Sequence, residues 1–157
     1  MNFAGKSFKN SSFTDCIFED CNLSNVNLHN TKINNGLFRN CKIMGLDFTA
    51  CNRFILTFSF GNSFISMVDF SSLDLKNTSF ESCEIFECVF METNLSKANF
   101  EHCYLKGSTF QNSNLSFASF KSAQNYSIDP NQNTLKKTKF SSVEAIGLLD
   151  VFDIELE

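Results

Sequence analysis

From Phe3, every fifth residue of the chain is apolar: Phe8, Phe13, Phe18, Leu23, Leu28, Ile33, Phe38, Ile43 and Phe48. The same step from Phe60 gives Ile65, Phe70, Leu75, Phe80, Ile85, Phe90, Leu95, Phe100, Leu105, Phe110, Leu115 and Phe120. A period of five suits neither regular element. On a helix it turns the apolar residue by about 140° per repeat, and on a flat strand it alternates faces. Burying the whole row requires a chain that turns a corner every five residues, so that each repeat is one short side of a coil with its central residue inward. Twenty Phe against two Tyr and no Trp fit one buried niche repeated many times.

The residue two before each centre lies on the same side of an extended backbone and also points inward. Small residues hold this slot, among them Ser11, Cys16, Cys21, Val26, Thr31, Gly36 and Cys41, then Ser63, Thr78, Cys83, Cys88, Thr93, Ala98 and Cys103. Lys6, Leu46 and Leu73 depart from it. All seven Cys, counting Cys51, fall in the slot. That placement reads them as small buried hydrophobes and not as metal ligands or nucleophiles.

From residue 70 the centres alternate between Phe and Leu or Ile. Four sides per coil stack like on like, as in Phe80, Phe100 and Phe120, whereas three sides stack Phe on Leu or Ile. The sequence therefore predicts a four-sided coil with Phe80, Phe90, Phe100, Phe110, Cys83, Cys88 and Cys103 in its core. Five coils at the interstrand spacing of a sheet make a rod of about 25 Å.

The segments CNLSN, TNLSK, ANFEH and SNLSF resemble the pentapeptide-repeat family, whose consensus is small, Asp or Asn, Leu or Phe, then two polar residues. The resemblance covers about residues 1–123. It implies an all-β fold, a right-handed quadrilateral parallel β-helix (pentapeptide-repeat solenoid) with a short C-terminal helix. The stretch VDFSSLDLKNTSFESCEIFECVFMETNLSKANF and the tail from Tyr126 are similar to the topoisomerase-directed branch, the Qnr quinolone-resistance and microcin-immunity proteins. That likeness implies a non-enzymatic partner of a type II topoisomerase, DNA gyrase or topoisomerase IV, acting as a partial DNA mimic that protects from or inhibits alongside topoisomerase poisons. It also implies a homodimer through the C-terminal tail. The alternative is a structural scaffold for an unrelated protein partner.

Continuing the first register puts Arg53 at a core centre, where a lone charge is prohibitively costly. Centres at 48 and 60 are twelve apart where ten is expected, so two residues are inserted near 52–59. Insertions of this kind redirect side chains. One reading is a kink that joins two half-rods. The other is a contact site at Arg53, with Phe54 and Phe58 as exposed apolar contacts.

A net charge of −4 argues against a general basic-stripe nucleic-acid binder, and no direct nucleic-acid contact is expected. Residues 54–101 nevertheless hold seven acids, Asp69, Asp74, Glu81, Glu84, Glu87, Glu92 and Glu101, against Lys76 and Lys97. Glu81 and Glu101 are twenty residues apart and stack on one face of a four-sided coil. An acidic strip that imitates a duplex, with Asp69, Asp74, Glu81, Glu84 and Glu101 as contacts, is one reading. An ordinary solvated surface is the other.

After Phe120 the five-residue pattern stops, and Pro130 sits where a ladder strand is not expected to continue. The chain is therefore divided into a solenoid over 1–123 and a tail over 124–157. In the tail, Ser141 and Glu144 match a capping box for a helix at about 142–151, with Ala145, Leu148, Leu149 and Phe152 as its apolar stripe. Such a helix either caps the last coil or pairs two copies of the chain. His29 and His102 fall on outward slots of different repeats, and no phosphate loop, zinc spacing or nucleophile–base pair is present; neither catalysis, metal nor cofactor is expected. The sequence has no apolar run approaching the roughly 18–20 residues of a membrane span and no secretory signal at its start. A cytoplasmic protein without a membrane partner is expected.

Overall fold

The computed structural model describes residues 1–155. The bend that closes each side comes from the second residue after each centre. Asn10, Asp15, Asp20, Asn25, Asn30, Asn35 and Asn40 all hold left-handed backbone, with φ between 52° and 60°. Asn and Asp tolerate that conformation better than any other residue with a side chain. A turn recurs every five residues as a result, and the chain coils.

The extended segments between corners are β1 (Ser12–Thr14), β2 (Ile17–Glu19), β3 (Lys32–Arg39), β4 (Lys42–Met44), β5 (Leu56–Gly61) and β6 (Phe64–Ser66). They continue as β7 (Glu84–Phe86), β8 (Val89–Met91), β9 (Thr109–Gln111), β10 (Ser119–Phe120), β11 (Ser127–Ile128) and β12 (Lys139–Phe140). All pairing between them is parallel, in register with the next coil: Phe18 with Phe38, Ile65 with Ile85, Phe90 with Phe110, Phe120 with Phe140. The partners are twenty residues apart, as a four-sided coil requires. Side one carries the column Phe18, Phe38, Phe60, Phe80, Phe100, Phe120 and Phe140, with successive ring centroids 4.7–5.4 Å apart. Side two carries Ile43, Ile65, Ile85 and Leu105; side three Phe48, Phe70, Phe90 and Phe110; side four Leu75, Leu95 and Leu115. Phe80, Phe90 and Phe100 are wholly buried, and each such ring contributes on the order of 1.5–3 kcal/mol.

The small inward slot has a polar duty as well as a steric one. Thr93 Oγ1 donates to the Phe70 carbonyl at 3.0 Å, Ser113 Oγ to that of Phe90 at 2.7 Å and Cys103 Sγ to that of Phe80 at 2.8 Å. Each satisfies a buried carbonyl of the preceding coil. All seven cysteines are free thiols, and all but Cys16 are buried.

The ladder runs further than the boundary at residue 123. Gln124 bridges Tyr104, β11 pairs with β9, Thr134 bridges Asn114 and β12 pairs with β10. The last coil loses two residues before Ile128, which lies opposite Phe110, and regains them through the corner at Pro130. Leu135 and Phe140 then resume the original five-residue register. Seven stacked rings span six rung spacings, about 29 Å.

Beyond β12 lies a 3-10 helix, Glu144–Phe152, where an α-helix over 142–151 is the sequence expectation. The capping box does not form: Val143 is the N-cap residue without a side-chain bond, and Ser141 Oγ instead accepts from the Ser122 N–H at 2.7 Å. The expected stripe is split accordingly. Side chains three apart eclipse on a 3-10 helix, so Ala145 and Leu148 are half-buried toward the rod while Leu149 and Phe152 align with Ile146 on the exposed side.

Candidate partner-binding surfaces

The insertion lies where the register break requires it. Ladder partners are twenty residues apart on either side of the break and twenty-two apart across it, as in Ile43 with Ile65 and Asp47 with Asp69. The extra residues bulge at the corner leading into side four. Arg53 is exposed and its Nη1 donates to the Ser72 carbonyl at 3.3 Å. Phe54 is 98% exposed. With Ile55 these residues form one wall of an open cleft of about 650 Å³, whose opposite wall includes Asp74 and Lys76.

Phe58 is not an exposed contact; it is buried. It occupies the inward slot before Phe60, opposite Gly36 in the ladder, and its ring packs 4.8 Å from that of Phe48. An inward slot that takes small residues elsewhere takes an aromatic here, next to the register shift between Ile33 and Gly36.

The candidate acids do not form one face. Glu81 and Glu101 do stack on side one, where the Ser82 N–H donates to the Glu101 carbonyl and the Glu101 carboxylate accepts from Ser119 Oγ at 2.7 Å. Their column continues to Lys121 at one end and to the Arg39–Glu19 ion pair, 3.2 Å, at the other. Glu84 lies on side two, bridging Tyr104; Asp69 on side three, bridging Asp47 and Val89; Asp74 on side four, bridging Asn94. Nearness in sequence spreads acids around a coil, whereas a spacing of twenty gathers them.

Sequence reading missed an outward strip on side two. Phe64, Phe86 and Tyr104 project from successive coils with ring centroids 5.5 and 5.4 Å apart. The available signal is an aromatic residue at outward positions where the repeat otherwise carries polar groups.

The core positions Phe80, Phe90, Phe100 and Phe110 and the slots Cys83, Cys88 and Cys103 are all buried. Burial pushes the thiols of Cys51, Cys83 and Cys88 up to about 12 and raises those of Cys41 and Cys103. They are protonated at neutral pH and poor nucleophiles. Among the described residues no group of three or more His, Cys, Asp or Glu is placed to hold a metal ion, and no helix is long and apolar enough to cross a membrane.

Residues 1–63 match the family described as a pentapeptide repeat region, and residues 88–124 match pentapeptide repeats in eight copies. The chain belongs to the pentapeptide-repeat family. Among solved structures, this pentapeptide-repeat protein is similar to a trypsin-treated form of QnrB1, a plasmid-mediated fluoroquinolone resistance protein. The identity is 17% and the TM-score 0.55, over 99% of this chain and 85% of that one. It is also similar to HetL, a pentapeptide-repeat protein involved in heterocyst differentiation regulation from the cyanobacterium Nostoc sp. strain PCC 7120. There the identity is 12% and the TM-score 0.38, over 88% of this chain and 82% of that one. No curated protein sequence gives a significant match. The likeness to QnrB1 is one of fold.

Proposed function

We propose that the protein is a non-enzymatic binding protein of a type II topoisomerase, DNA gyrase or topoisomerase IV, acting in the cytoplasm as a partial DNA mimic that alters the action of topoisomerase poisons. The observation that carries this reading is the stacked pair Glu81 and Glu101 on a straight side of the rod, one coil apart in the ladder. Carboxylates fixed along a rigid rod offer a DNA-binding saddle the charge that a phosphate backbone offers. Asp69, Asp74 and Glu84 supply contacts on the remaining sides, and Arg53 and Phe54 supply a projecting one. The apolar row Ile146, Leu149 and Phe152 supports a homodimer through the tail, two-fold pairing being the commonest assembly. Ala145 and Leu148 cap the rod.

The test is a gyrase supercoiling assay with purified protein, with and without a quinolone, over a broad concentration range. Inhibition, or protection from the drug, supports the reading; no effect at high concentration overturns it. A second reading, a scaffold for an unrelated protein, is favoured by the dispersal of the other acids over three sides.

A further inference from the structure

We propose that Cys21 and Cys41 form a two-coordinate site for a soft monovalent cation of the Cu(I) class, held between two stacked thiolates on the inner wall of side two. The proposal does not depend on the topoisomerase reading.

Taken one slot at a time, the cysteines read as buried hydrophobes; a spacing of twenty makes neighbours of some of them. On side two the inward slot column runs Met1, Cys21, Cys41, Ser63, Cys83, Cys103 and Ala123. Four of the seven cysteines thus share one column, as two pairs of rung neighbours. The remaining three are single: Cys16 neighbours Gly36, Cys51 neighbours Thr31, and Cys88 lies between Val68 and Ser108.

The rung spacing supplies the geometry. In-register neighbours along a parallel ladder are about 4.8 Å apart, about twice a metal–thiolate bond of about 2.3 Å. A cation midway between two stacked sulfurs meets both at bonding distance along a straight line. Soft Cu(I) accepts a pair of thiolates in that arrangement, whereas zinc asks for four ligands and calcium and magnesium ask for oxygen. The Lys42 N–H donates to the Cys21 carbonyl at 2.9 Å, which fixes the two rungs, and the two thiols stand within hydrogen-bonding reach of each other.

Loading breaks one S–H bond on each cysteine, forms two S–Cu bonds and releases two protons to solvent; no oxidant or reductant takes part. Burial raises the Cys41 thiol, backbone hydrogen bonding at Cys21 and Arg39 favours its thiolate, and the charge of Cys21 opposes it. A cation between the sulfurs turns that opposition into attraction.

Access separates the two pairs. Cys21 is 7% exposed and lies one rung below Met1, whose own thioether is a soft donor at an exposed position. Cys83 and Cys103 are each 1% exposed and lie deep in the rod. The Cys21–Cys41 pair is therefore the one that fills in the folded chain.

Anaerobic titration of the full chain with Cu(I) buffered by bicinchoninate tests this, with Cys16→Ser included to remove the half-buried single thiol. One tightly held Cu(I) per chain is expected, with two protons released and X-ray absorption showing two sulfur ligands in a linear arrangement. Cys21→Ser and Cys41→Ser should each weaken binding by more than the ~10–100-fold that loss of an outer partner costs a metal ligand, while Cys103→Ser leaves it unchanged. Serine holds the same slot at Ser63, Ser108 and Ser113, so these variants should keep the fold, which circular dichroism checks. Undiminished binding in either variant, copper that millimolar glutathione strips from the protein, or loading that proceeds only with loss of the fold overturns the proposal.

Discussion

Phe58 lies opposite Gly36 in the ladder, and its buried ring packs 4.8 Å from that of Phe48. A Cβ at Gly36 meets Ile33 Cγ2 at 2.6 Å and Phe58 Cβ at 3.8 Å. Gly36→Ala should therefore destabilise the rod by about 1–3 kcal/mol through overpacking. Phe58→Ala should cost about 3–5 kcal/mol through the cavity it leaves. Urea melts of both variants check the assignment, and a wild-type midpoint for Phe58→Ala would place the ring outside the core.

Phe90 sits wholly buried between Phe70 and Phe110, with centroids 5.0 and 4.9 Å away. Phe90→Asp puts an unpaired carboxylate inside the column, an effect above about 4–5 kcal/mol. Circular dichroism should show an unfolded chain at ambient temperature. A cooperative melt near the wild-type midpoint would contradict the register.

The raised thiols give the stability a direction with pH. Cys51, Cys83 and Cys88 ionise near 12 when folded and near 9, the ordinary value, when unfolded. The unfolded chain loses these protons first as pH rises, so the contribution is intact below pH 9 and declines between about 9 and 12. Denaturation midpoints should fall across that window. At pH 8 iodoacetamide should alkylate the half-buried Cys16 in native protein and spare the six buried thiols, with all seven reacting in denaturant.

Charge reversal separates the acids by side. Glu81→Lys with Glu101→Lys should weaken gyrase binding at least ~10-fold if the acidic side carries the contact, whereas Asp74→Lys on side four should change it less. Surface plasmon resonance on immobilised gyrase reads both. Unchanged binding for the double variant removes side one from the interface.

Leu149 lies in the exposed row of the C-terminal helix between Ile146 and Phe152. If that row pairs two copies of the chain, Leu149→Asp should give monomers in sedimentation velocity while circular dichroism shows the solenoid still folded. A variant that stays dimeric assigns pairing elsewhere.

The four-sided coil was legible because its cause is periodic: inward Phe and Leu recur every five residues, and like residues recur every twenty. Asn35 and Asn40 were equally regular corner residues, although their left-handed backbone becomes evident only in three dimensions. Counting in fixed steps failed where residues are lost and regained. In the last coil it lands on Asn125 and Pro130, while the inward residue is Ile128. At the insertion, spacing gives the number of added residues but not which side chains remain inside, so Phe54 and Phe58 looked alike. Ala145 and Leu148 belong to a stripe on both an α-helix and a 3-10 helix, which hid the difference between them and the exposed Leu149. The outward aromatic strip stayed hidden because Phe64 and Tyr104 precede their centres and Phe86 follows its own.

The bulge at Arg53 and Phe54 interrupts no ring column: Phe38 still stacks on Phe60 at 5.2 Å across it. A corner that takes up additional residues while the interior remains in step is a natural graft point. Foreign peptides spliced between Arg53 and Phe54 would be displayed from a stiff stem, with the fold indifferent to their sequence.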